Sequence, residues 1–303
     1  MHCIPHRIDR ELVVEVPKLM GNKKEPTYTA SIVLSLAQVV ENVYRSIKPN
    51  IRTAGCYVHQ KPKVSFVSRN NQSTKILRRE LGDLLVVVRD MIDGEERYNA
   101  ALFQLKKRNG DKVDVESGQC ELLRDWPPLW FKNVRNVYDI TPKHPSPGAQ
   151  YMIVDNSGGC DWPLIPFFWV APPKSKINPA EYDRCAASFG HYLDGLVNWR
   201  TGRPIHGNEA GPKDEWSRLV WDIIDDIKDV SLNNLGVKSM PNGQTRICSD
   251  MSLFLQNYSL PGELKKLNVW NGDDICDADS NHLPEGFEGF GFVYIDLASQ
   301  YRD

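Results

Sequence analysis

Asp83, Gln104 and Lys106 are residues of the types that hold a hard cation and steady a phosphate, and they lie at the far ends of two strongly apolar runs. The stretch that contains them reads "LGDLLVVVRDMIDGEERYNAALFQLKK", Leu81 to Lys107. A carboxylate and an amide oxygen are hard ligands appropriate to Mg2+, which keeps several waters and takes further oxygens from a substrate phosphate. An ammonium beside them can orient a water or offset the negative charge of a phosphoryl transition state. The chemistry this set suits is phosphodiester hydrolysis with a divalent metal, Mg2+ or Mn2+. One acid with one neutral amide is a weak cage, so a second carboxylate is needed. The candidates are Glu80, three residues before Asp83, and Glu41, further upstream. Glu80 would face the opposite side of a regular strand unless Gly82 kinks or bulges the chain. Glu41 would have to descend from the preceding helix.

The element that must bring these residues together is a hairpin. Between the apolar runs stands Asp93-Gly94, the pair favoured in a two-residue type I′ turn. With that turn Ile92 faces Glu95. Each step back along one strand is a step forward along the other, which sets Asp83 across from Gln104 with Cα atoms about 4.5 to 5.5 Å apart. Gln104 and Lys106 are two residues apart and point to the same side. A bulge would shift Asp83 by one and turn it away.

Other elements emerge from periodicity. "TYTASIVLSLAQVVENVYRSIKPN" has helical apolar spacing through Ile32, Leu34, Leu36, Val39, Val40, Val43 and Ile47, with Thr27 or Thr29 as a cap and Pro49 as a stop. Glu41 lies beside that stripe. "KVSFVS" reads as a first strand. "GQCELLRDW" reads as a short helix ended by Pro127, which disfavours helix at the residue before it. "AQYMIVD" and "LIPFFWV" are strand candidates with "NSGG" between them, and "APPKSKINP" is a boundary. Beyond it come two amphipathic stretches, "PAEYDRCAASFGHYLDGLVNWRTG" and "DEWSRLVWDIIDDIKDV", and a strand-like "FVYIDL" that can return to the sheet. The division expected is an N-terminal extension over 1–26, a core over 27–172, and a mostly helical C-terminal region with a terminal strand over 173–303, packed on the core.

Composition sets limits. The longest apolar runs fall far short of the roughly 20 residues that span a bilayer, and the N-terminus lacks the zones of a signal peptide, so a cytoplasmic protein with no membrane partner is expected. Seven scattered cysteines without CxxC or Cys/His spacing give no zinc site. The net charge of −2 carries no surplus for a nucleic-acid backbone, so a polyanion site must be a local patch or be completed by another subunit. The tryptophans, which could stack bases, mostly recur beside prolines and on amphipathic faces and read as core or interface.

At Asp83, Gln104 and Lys106 the sequence resembles the PD-(D/E)xK nucleases, the restriction-endonuclease-like superfamily. The matching residues are "GD" with Asp83, then "FQLKK" with Gln104 and Lys106, after a helix that carries Glu41. The glutamine in place of an acid is similar to Mrr-type and related defence nucleases, and Gln119 in "GQCELLRDW" stands where the family's second core helix could face the site. The resemblance covers roughly residues 27 to 170. It implies an α/β fold with an α-β-β-β-α-β core and a mixed central sheet. It also implies a Mg2+- or Mn2+-dependent endonuclease acting on DNA, the effector of a bacterial antiphage or restriction-like system, with a partner protein or a homo-oligomer as further company. Asp83, Gln104 and Glu80 would hold the metal, with Lys106 catalytic and Glu41 as the other acid. The alternative is a nuclease-fold protein that has lost catalysis and serves as a binding or scaffolding subunit.

Overall fold

In the computed structural model, residues 3–20, 25–58, 62–69, 74–109, 112–132, 136–143, 148–155, 167–174, 176–177, 187–207, 214–235, 246–247 and 290–297 are described. The hairpin at its centre joins β4 (Leu84–Ile92) and β5 (Glu95–Asn109). Asp93 and Gly94 both have positive φ, 56° and 79°, as a type I′ turn requires. Pairing runs without a slip from Ile92–Glu95 to Leu84–Phe103, the register expected from the turn. Five consecutive buried residues open β4, so this strand needs cover on both faces.

That cover comes from the whole length of the chain. The main sheet has β4 beside β13 (Phe290–Asp296), then β1 (Arg52–Val58) and β12 (Arg246–Ile247). On the other side β5 is followed by β8 (Ala149–Asp155), β9 (Phe167–Ala171) and β10 (Ala187–Ser188). Two short strands, β6 (Lys112–Val113) and β11 (Arg203–Ile205), also pair with β5. β13 is parallel to β4 and β8 is parallel to β5, while the other pairs are antiparallel, so the fold is α/β with a mixed central sheet. Between β5 and β8 the chain passes through α3 (Ser117–Asp125), which ends at Trp126 in the left-handed region, φ 43°.

One face of the sheet, with Leu84, Val86, Phe103, Leu105 and Val293, is covered by α1 (Ile4–Met20), α2 (Glu25–Tyr44) and α4 (Phe189–Val197). The other, with Leu85, Leu102, Tyr151 and Phe292, packs against α3, α5 (Glu215–Leu235) and a second sheet. That sheet has three strands, β3 (Lys75–Glu80), β2 (Lys63–Ser68) and β7 (Leu129–Phe131), in that order.

Several expectations are corrected. "KVSFVS" is β2, and it lies in the second sheet rather than beside β4. Buried residues alternate in it with exposed or half-buried ones, a pattern that covers one face only, whereas all seven residues of β13 are buried and can occupy a central place. The terminal "FVYIDL" does not merely return to the sheet but sits at its middle. The N-terminal segment contains α1, whose Ile8 and Leu12 are fully buried against the helices around them. α2 starts at Glu25 rather than at Thr27 or Thr29, because Pro26 is tolerated in a first turn, where its missing N–H would be unsatisfied anyway. The helix gives way to a tighter turn before Pro49 is reached, with the Ile47 N–H donating to the Tyr44 carbonyl at 2.9 Å. Residues after 173 supply helices to both faces as well as β13. "NSGG" and the first residues of "LIPFFWV" lie outside the described residues. Among the described residues no helix is long and apolar enough to cross a membrane.

Candidate active site

The outer end of the hairpin is where the polar residues gather. Asp83 precedes β4, and there the ladder changes: its N–H donates to the Phe103 carbonyl at 2.8 Å, and its own carbonyl accepts from Gly291 N–H at 2.7 Å. Its carboxylate replaces the next main-chain acceptor, with Oδ2 taking the Leu105 N–H at 2.7 Å. The same oxygen accepts from Gln104 Nε2. Asp83 and Gln104 therefore do meet, each 3% exposed. The shift in the ladder at Asp83 does not turn the acid away, because the backbone N–H of Leu105 and the amide of Gln104 anchor it. Hydrogen bonds to an ionised acceptor are roughly twice as strong as neutral ones, and they offset the desolvation of a buried carboxylate.

The amide faces the acid through its nitrogen. Its oxygen, Gln104 Oε1, is buried without a hydrogen-bond partner among the described residues, and an unsatisfied buried acceptor costs about 1–3 kcal/mol. Such an orphan is what a bound cation or an ordered water would satisfy. A hard amide oxygen next to a carboxylate suits Mg2+ or Mn2+ in donor type, so the residues present fit such an ion. Lys106 is half-buried and comes next on the same face of β5. One strand over, Tyr151 is the parallel-register neighbour of Gln104, and Ile153 that of Lys106. Further along, Arg108 closes the row by donating to Asp155 Oδ2 at 2.7 Å.

From above, α3 brings the Cys120 thiol against the Tyr151 hydroxyl. Burial pushes both groups above their ordinary pKa, with the thiol adding to the effect on the tyrosine. Both are neutral at pH 7, so the wall beside Gln104 adds no charge of its own. Gln119 is also buried on α3. Neighbouring Glu121 accepts from the Ser68 hydroxyl at 2.7 Å and from the Arg69 N–H at 2.6 Å, which ties α3 to β2.

Neither proposed second acid stands on the strand of Asp83. Glu41 is corrected outright. Its α2 covers the sheet face opposite to Gln104, and its carboxylate pairs with Arg45 and accepts from the Thr53 hydroxyl at 3.1 Å. Thr53 is opposite Ile295, which is opposite Val88, so Glu41 sits some five residues, about 16 Å, along β4 from Asp83. Glu80 is the last residue of β3, in the second sheet, across from Lys63. The chain then crosses to the main sheet through Leu81 and Gly82. A Cβ on Gly82 would lie 2.7 Å from Leu102 Cδ1 and 3.2 Å from the Phe103 carbonyl oxygen, so this glycine serves a close approach of the crossing chain to β5. Among the described residues no three His, Cys, Asp or Glu side chains cluster as metal ligands. The set at Asp83 is thus one carboxylate, one amide and one amine.

Sequence reasoning misses Tyr151 and Cys120 as neighbours of the site. Their placement comes from the parallel pairing of β8 with β5, and the only local signal is that "AQYMIVD" comes after the α3 stretch, as in a crossover unit. Comparison of the chain with family models, with curated proteins and with solved structures found no match.

Proposed function

We propose that this protein is a metal-dependent nuclease that hydrolyses phosphodiester bonds in DNA, an effector of the antiphage or restriction-like kind. The observation that carries the reading is the outer end of the β4–β5 hairpin, where an acid, an amide with an unpartnered buried oxygen and a lysine share one sheet face. The β5–α3–β8 crossover beside them is the arrangement expected for the restriction-endonuclease-like core. Asp83 and Gln104 would hold Mg2+ or Mn2+, with Glu80 as the acid nearest in sequence. Such an ion supplies a water of lowered pKa and charge stabilisation at the phosphoryl oxygens. Lys106 offsets the charge of the phosphate and orients the attacking water. The Leu105 N–H bond to Asp83 Oδ2 holds the carboxylate at the end of the hairpin, so the acid is positioned before substrate arrives.

A specific observation favours a second reading, a nuclease-fold scaffold without catalysis. Asp83 Oδ2 already accepts two hydrogen bonds from within the chain, and the amide turns its nitrogen to the acid. Rotation of the Gln104 amide by half a turn about its last side-chain bond separates the two readings, since with Asp83 ionised a cation between the oxygens makes that orientation favourable. Purified protein is incubated with plasmid and single-stranded DNA in Mg2+, Mn2+ or EDTA. Metal-dependent cleavage lost in Asp83→Ala and Lys106→Ala supports the nuclease. Equal nicking by all three proteins would sink the assignment, and no cleavage by any of them, with no thermal stabilisation by metal, would leave the scaffold.

A further inference from the structure

The second sheet has an outer face that the core does not use. On β2, Val64, Phe66 and Ser68 are buried while Lys63, Ser65 and Val67 are not, so the latter three define the outer side. Register places Arg78 of β3 and Trp130 of β7 on either side of Ser65. The three form one cross-strand row. Trp130 is half-buried and belongs to neither apolar core cluster, whereas its strand neighbours Leu129 and Phe131 pack into the core. Arg78 and Trp130 are two strand spacings apart, about 9.6 Å, with only the small Ser65 between them. That gap admits a planar base, of which each stacked layer takes about 3.4 Å.

Charge on this face runs against that of the whole chain. The molecule carries −2, yet Lys63, Arg78, Arg69 just after β2 and Lys132 just after β7 are all exposed here, with Glu80 the one acid on the three strands' outer side. Glu80 and Lys63 face each other across the strands. The Arg78 and Lys132 side chains have no acidic partner among the described residues, while the main-chain N–H of Arg69 donates to Glu121. From Arg78 the chain reaches Asp83 in five residues, at most about 18 Å, so a strand laid on this face is within reach of the hairpin end.

We infer that the outer face of the β3–β2–β7 sheet is a docking platform for single-stranded DNA, with one base stacked on Trp130 beside Arg78 and the flanking phosphates on Arg69 and Lys132. The ligand class rests on the nuclease reading; the site does not. A partly exposed aromatic on a sheet face gains nothing from duplex DNA, whose bases are already stacked, whereas it stacks any unpaired base. The Trp130–Arg78 slot thereby gives the local polyanion patch that the overall charge does not supply.

The test is fluorescence anisotropy of a labelled mixed-sequence single strand with the full chain in EDTA, where no cleavage interferes. Trp130→Ala is expected to weaken binding about tenfold, with Trp130→Phe retaining most of it. Lys132→Ala, at an exposed position that leaves the core intact, is expected to flatten the slope of log K against log salt by about 0.7, and Arg78→Ala to weaken binding without that change of slope. Unchanged affinity in the Trp130 and Arg78 variants, or an unchanged slope in Lys132→Ala, overturns the inference, as does tighter binding of duplex DNA or of RNA of the same sequence. Cleavage with no effect of these variants on binding removes the platform and leaves the nuclease. Binding through Trp130 and Arg78 without cleavage in any metal removes the nuclease and leaves the platform.

Discussion

Replacing Gln104 by glutamate puts a second carboxyl where an amide N–H now donates to Asp83 Oδ2, and its cost can be worked out as a function of pH. Near pH 4 the introduced carboxyl is largely protonated and its O–H serves the same acceptor, so the variant is close to the wild type. As pH rises, the variant must either hold that proton in the folded state or place two anions in contact. Retaining a proton on a group of ordinary pKa about 4.3 costs about 1.4 kcal/mol per pH unit, which reaches about 3.7 kcal/mol at pH 7. The unfolded chain releases the proton freely, so stability relative to the wild type falls as pH rises, the sign expected for a carboxyl whose folded pKa is raised. A divalent cation between the carboxylates removes the penalty, and at ten times its dissociation constant it adds about 1.4 kcal/mol of its own. Urea unfolding of both proteins from pH 4.5 to 8, in EDTA and in Mg2+, reads both effects. A Gln104→Glu variant with wild-type stability at pH 7 in EDTA, and no slope with pH, would refute the contact between positions 83 and 104. A slope in EDTA that Mg2+ leaves untouched would refute the cation site while leaving the contact standing.

Two further outcomes test the frame around the site. Gly82→Ala forces a Cβ to within 2.7 Å of Leu102 Cδ1 and 3.2 Å of the Phe103 carbonyl oxygen, and this overpacking is expected to cost about 1–3 kcal/mol in urea unfolding; a neutral effect would mean that the crossing chain does not lie against β5. Glu96, at the turn end of the hairpin, has its carboxyl held below the ordinary value by hydrogen bonds from Arg89 and Tyr98, which prevail over its partial burial. Its contribution to stability is therefore present above about pH 4.5 and lost as pH falls through the lower folded value. Glu96→Gln should be less stable than the wild type at pH 7 and should converge with it as pH falls through the lowered folded value, so parallel acid-unfolding curves would count against the network.

How much of the molecule is legible in its sequence depends on the range of the interaction concerned. Asp93-Gly94 and the alternation around it determine the hairpin and its register as far as Leu84 and Phe103, because a tight turn fixes how the two strands it joins pair, while the meeting of Asp83 with Gln104 also needs the local shift at Asp83 and its anchoring by the Leu105 N–H. Likewise α3, β8 and α5 are visible in local periodicity, and the apolar run ending in "FVYIDL" announces a buried strand. What tertiary structure alone decided is which surfaces those elements share. β13 pairs with β4 across about two hundred residues of chain, and nothing local encodes such a partner, since strand pairing at that distance depends on how the whole core closes. That insertion leaves β2 to a second sheet, and with it Trp130, Arg78 and an open face. Glu41 fell on the wrong side of the sheet for a related reason: helical spacing shows which stripe of α2 is apolar, not which sheet face the stripe covers. The orientation of the Gln104 amide was also invisible, because only the packed structure sets an acceptor on one side of it and leaves its oxygen buried and unpartnered on the other.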